Sequence, residues 1–127
     1  YPPGSFYSSL LANLLVDGVG RAIAGNDCPK VFIPNLGADP EQIDMDMQQM
    51  VRRLLGQIRA DAGPDKPDCA LLNLVLVDSR NGRYPSRLPS KPLAKQGIEV
   101  IDVRLVSKHS APYYDNDLLV SALLSLV

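Results

Sequence analysis

The chain has 127 residues, 46% of them apolar, which is enough for one domain with a core of its own. Its net charge is −1, so there is no electrostatic case for nucleic acid or for an anionic membrane surface. The apolar runs are too short to span a bilayer, and no basic leader with a cleavage site opens the chain.

A turn, Tyr1-Pro2-Pro3-Gly4-Ser5, runs straight into an apolar stretch. From Ser5 the apolar residues fall at Phe6, Tyr7, Leu10, Leu11, Leu14 and Leu15, which predicts a helix with Ser5 as its cap. Asp17-Gly18-Val19-Gly20 weakens it, Arg21 to Ala24 continue it after a bend, and Gly25-Asn26-Asp27 end it. "KVFIPNL" then reads as a strand buried on both faces. The next helix is predicted to start at Asp39, with Pro40 at its first position and Gln42 completing a capping box. Its apolar stripe is Ile43, Met47, Met50, Val51, Leu54 and Ile58, and Gly63-Pro64 stops it.

A second buried strand is predicted from about Ala70 to Val77, and a third over "IEVIDVRLV". Between them Pro85, Pro89 and Pro92 prevent one long helix. The last helix begins at Asp115 or Asn116 and is apolar nearly all round, so it is expected to be sandwiched between layers. Cys28 and Cys69 lack metal-type spacing and are expected as reduced, partly buried core residues in a cytoplasmic setting. The alternation predicts an α/β fold of three layers, with helices on both faces of a mostly parallel sheet. Such sheets bind ligands outside the carboxyl ends of their strands. A strand just upstream of Tyr1 would complete the pattern.

Four loops fall at those ends. In "PPGSFYSS", Gly4 allows close approach and the N–H groups after Ser5 favour a phosphate, with Ser8 adding a hydroxyl; an ordinary helix cap explains the same residues. In "NLGADPEQ", Asn35 can hydrogen-bond a base, ribose or amide and Gly37 allows close approach, while Asp39 and Gln42 are explained as a cap. Between Asp78 and Glu99 stand Arg80, Arg83, Arg87, Lys91 and Lys95 with no acid among them. Their arginines suit bidentate contact with a diphosphate, and a solvated surface loop is the alternative. The last loop, "SKHSAPYYDND", holds the only histidine, His109, and Asp115, a polar candidate that the helix dipole also explains. No cluster of His, Cys or carboxylates makes a metal site, and no catalytic residue can be assigned.

Taken together, these motifs resemble a known family. "PPGSFYSSLLANLLVDGVGRAIAGNDCPKVFIPNL" is similar to the G-P-G-S-[LF]-Y-T-S-I-x-P-N-L-L-V-x-G segment, and the K-V-[YF]-x-x-N that follows it, of the CofD-like family. "YYDNDLLVSALLSLV" is similar to that family's H-D-x-x-x-L-A-x-A-L-L-x-L end. The family includes 2-phospho-L-lactate transferase and the YvcK-type gluconeogenesis factors. The resemblance implies a Rossmann-like domain of which residues 1–127 form the C-terminal part. It implies either transfer of a phospholactate group from a nucleotide diphosphate donor to a deazaflavin-like acceptor, or a non-catalytic protein that binds a nucleotide sugar or NADP. Magnesium is the implied cofactor, with ligands outside this chain. A nucleotide-type small molecule is the expected partner, and a homodimer stays open. By matching position, Gly4 and Ser5 fall on the glycine-serine turn, Ser8 on its threonine, Asn35 on the asparagine after the strand and Asp115 on the aspartate of the H-D element. Three departures stand out: Pro2 and Pro3 in place of Gly-Pro, Tyr114 in place of the histidine, and "GADPEQ" in place of M-T-Q-P-G-E-T.

Overall fold

In the computed structural model, residues 1–37, 39–86 and 88–126 are described. Three strands form one sheet in the order β1 (Val31–Phe32), β2 (Leu74–Val77) and β3 (Glu99–Asp102). All pairings are parallel, with Val31 opposite Leu74 and Leu74 opposite Glu99. Tyr1 lies against the open edge of β1 in the same slanted pattern: its N–H donates to the Val31 carbonyl at 2.8 Å and its carbonyl accepts from Ile33 at 3.0 Å. The helices are α1 (Val19–Ala24), α2 (Met47–Ala62), α3 (Asp68–Leu71), α4 (Ser90–Ala94) and α5 (Asn116–Leu124). They lie around an open parallel sheet, so the chain is α/β and Rossmann-like, as its alternation predicts.

The principal core lies on one face of the sheet. Phe6, Leu10, Leu11 and Leu14 meet Met47, Met50, Val51, Leu54, Leu55 and Ile58 of α2 there, over Phe32, Val75 and Val77. Gly20 lets α1 approach α2 backbone to backbone: a Cβ there would sit 2.4 Å from the Ile58 carbonyl oxygen. On the other face a smaller cluster joins Ile33, Leu76 and Leu105 to Tyr114, Leu119, Ala122 and Leu123.

Several local expectations are corrected. The first helix is a π-helical turn over Phe6–Leu10, then a 3-10 segment over Leu11–Leu15. The Ser5 carbonyl accepts from both Ser9 and Leu10, which widens the first turn. Ser5 makes no side-chain cap. Asp39 caps only the 3-10 turn Pro40–Gln42, and Asp44 follows with φ of 64°, a left-handed conformation that breaks the helix. The α2 helix starts seven residues later than Pro40, at Met47, where Asp46 and Gln49 form the capping box. Ile43 is therefore exposed, while the rest of its predicted stripe is buried. The second strand starts only at Leu74, because Asp68–Leu71 turns helically. Cys28 and Cys69 are exposed rather than partly buried. Helix α5 has no fully buried residue, and Val120 and Leu124 face outward, so it is covered on one side rather than sandwiched. No helix among the described residues is long and apolar enough to cross a membrane.

Candidate functional site

The carboxyl ends of the strands are where loop residues gather, and Asp78 organises them. It directly follows β2, is 2% exposed, and accepts from five N–H groups. Oδ1 takes the backbone N–H of Arg80 at 3.2 Å and of Asn81 at 2.9 Å. Oδ2 takes those of Leu105 at 2.9 Å and Val106 at 3.0 Å, and the Asn81 side-chain amide adds a contact to each oxygen. Burial by itself would raise this carboxyl, but the donors from Leu105, Asn81 and Val106 outweigh it and hold it below the ordinary carboxylate range. One buried charge thus joins the loops after β2 and β3.

Asp102 ends β3 and turns toward the same loop. Its carboxylate accepts from the Ser79 N–H at 2.9 Å and from the Ser79 hydroxyl. Two clefts flank this pair. One, of about 540 Å³, is lined by Asp78, Arg80, Asn81, Asp102, Val103 and Arg104. The other, of about 490 Å³, is lined by Ser79, Gly82, Tyr84, Ser86, Leu88 and Asp102. A smaller hollow of about 230 Å³ lies at the amino end of β1, beside Cys28 and Lys30.

In the first cleft the Asp78 oxygens are filled by internal N–H groups, while the exposed Asp102 accepts one N–H and one O–H from Ser79 and keeps free lone pairs. Arg80 and Arg104 are exposed, and neither is ion-paired among the described residues. The charge of Arg104 does help the Ser107 hydroxyl and the Leu118 N–H keep the Asp115 carboxyl low. Two exposed guanidinium groups in such a cleft can donate to an acceptor-rich, negatively charged group.

The residues singled out from sequence fall in three places. Around the first turn, Gly4 is half-buried, and a Cβ there would meet only Ser9 at 3.4 Å. The N–H groups expected to face a phosphate are already bonded. Phe6 N–H donates to Asp39 Oδ2 at 3.2 Å, and Tyr7 and Ser8 N–H donate to Glu41 Oε2 at 2.7 and 3.0 Å. The Ser8 hydroxyl donates to Glu41 Oε1 at 2.6 Å, so two carboxylates of the chain itself cap the turn. After β1, Asn35 is half-buried and Gly37 takes φ of 82°, with its N–H donating to the Arg83 carbonyl at 2.8 Å. Gly37 therefore serves a left-handed turn that ties two loops together. Arg80 and Arg83 are exposed on the loop after β2, and Arg87 lies outside the described residues. Asp115 caps α5, accepting from Asp117 at 3.1 Å and Leu118 at 3.3 Å.

Sequence reasoning gave no role to Asp78, Tyr84, Asp102 or Arg104. An acid directly after a buried strand was the available signal for Asp78; Asp102 lies inside the predicted third strand and carried no such signal. No group of three or more His, Cys, Asp or Glu placed to hold a metal occurs among the described residues. The Asp78 oxygens, filled by N–H donors, have no lone pair left for a cation.

Comparison with known protein families gives a match. The family model for 2-phospho-L-lactate transferase CofD covers residues 1–107. No curated protein and no solved structure matches the chain.

Proposed function

The chain belongs to the CofD family, and from that membership we propose that it binds a phosphorylated, nucleotide-type ligand at the carboxyl ends of its strands. In this reading it contributes to transfer of a phospho-2-hydroxy-acid group from a nucleotide diphosphate donor to a deazaflavin-like acceptor in the cytoplasm. The observation that carries the ligand class is the pair of exposed guanidinium groups in the cleft after β2: Asp78 is internally satisfied, and neither Arg80 nor Arg104 forms an ion pair among the described residues. Guanidinium groups match phosphate oxygens in geometry and charge. Arg83, on the same loop, adds to the positive field, and Asn35 would orient the organic part of the ligand.

Catalysis of this kind is positioning plus charge stabilisation around the diphosphate. This chain's share would be to hold the phosphates and neutralise them. Calorimetric titration of the chain with guanosine diphosphate, a UDP-sugar and NADP tests the proposal. Saturable binding to one of them, lost when Arg80, Arg83 and Arg104 are replaced by Ala, is the expected result. No binding to any, or binding untouched by the triple substitution, overturns it.

A further inference from the structure

Three segments leave the carboxyl ends of the sheet, and two phenols tie them together. The Asp78 N–H donates to Tyr84 Oη at 2.9 Å. The Tyr84 and Tyr114 oxygens lie 3.2 Å apart, and Tyr114 Oη donates to the Pro34 carbonyl at 2.6 Å. The proton order has one solution. A backbone N–H only donates and a carbonyl only accepts, so Tyr114 gives its proton to Pro34 and Tyr84 gives its own to Tyr114. Neither phenol keeps a proton for a ligand. Both are half-buried, and burial pushes both above the ordinary phenol range, so they stay protonated.

The row grips the arginine-bearing loop at both ends, at Asp78 and at Tyr84. Between those ends the Asp78 carboxylate holds the N–H groups of Arg80 and Asn81, and the Arg83 carbonyl holds Gly37. At its far end the row reaches Pro34, just before Asn35, and Tyr114 stands next to the cap of α5.

We propose that Tyr84 and Tyr114 are positioning residues, which hold the Arg80–Tyr84 loop so that its guanidinium groups face an oxyanion. This rests on the phosphate-binding reading above. The phenols do not touch the ligand; they act through the loop, and as one unit.

The test uses the chain with Tyr84→Phe, Tyr114→Phe and both together, since Phe keeps the ring and removes only the bonding oxygen. Amide exchange at Gly37, Arg80 and Asn81 is measured without ligand, and affinity for inorganic pyrophosphate by calorimetry. Each single variant is expected to speed exchange at those amides, and to weaken pyrophosphate, by about tenfold. Exchange in α2 should not change, which shows that the fold is kept. The double variant should be no worse than the singles, because broken links of one row do not add. Wild-type exchange at the three amides overturns the proposal. So does faster exchange with wild-type affinity for pyrophosphate, which a purely structural role would give. Wild-type protein that binds no pyrophosphate overturns the phosphate-binding reading and the ligand half of this proposal, whereas unchanged exchange overturns only the proposal.

Discussion

Glu41 shows how a single side chain can take the place expected of a ligand. Its carboxylate bonds the N–H groups of Tyr7 and Ser8 and the Ser8 hydroxyl, and the Ser8 contacts draw it below the ordinary glutamate range. A carboxyl lowered by folding stabilises fully above its unfolded value and loses that contribution as pH falls through the folded one. Glu41→Gln keeps an acceptor but no charge. Its urea midpoint should therefore fall less than wild type's between roughly pH 5 and 3. Asp78 carries more weight because it is buried. Asp78→Ala strands the N–H groups of Leu105, Val106 and Asn81 and should cost on the order of 3 kcal/mol in chemical denaturation. The sequence marks Asp39 as a cap. It does not show that Asp39 and Glu41 both reach back to the first turn, because those contacts join residues 33 and 34 apart. Asp78 was hidden for the same reason: its partners in the loop after β3 lie 27 and 28 residues on.

At the scale of elements, the strands and α2 were legible and the boundaries were not. Two cap signals stand near the start of α2, Asp39-Pro40-Gln42 and Asp46-Gln49. Either would serve a helix. The left-handed Asp44 between them decides, and nothing local announces it, since aspartate adopts that conformation only occasionally. Asp46→Ala should cost about 1 kcal/mol of stability, measured by thermal melting, as the loss of a working cap does. The first helix was misread because a π turn leaves Phe6, Leu10, Leu11 and Leu14 on one face, as an α-helix would. Gly20 read as a weak point and proves to be a close approach. Gly20→Ala drives a methyl into the Ile58 carbonyl and should destabilise by about 2 kcal/mol, by the same melt.

At the scale of the molecule the two faces of the sheet are unequal. The α2 face holds most of the buried apolar residues, while the α5 face holds Ile33, Leu76 and Leu105. Amides of α5 should therefore exchange by local opening well before those of α2, which native-state hydrogen exchange would resolve. Val120→Ser and Leu124→Ser should change stability by no more than about 0.5 kcal/mol, because both side chains are already in solvent. Continuous apolar runs alternating with helices made the parallel sheet legible. They did not show how far each face is covered, because that depends on how much apolar surface the other elements bring to it.

The parallel register also governs how fast the sheet can assemble. Val31 pairs with Leu74, 43 positions on, and Leu74 with Glu99, 25 positions on. No strand of this sheet can find its neighbour through a hairpin, so each pairing waits for a long intervening segment to close. Refolding should accordingly run slower than that of a helical bundle of equal length, with β2 the strand on which both closures depend.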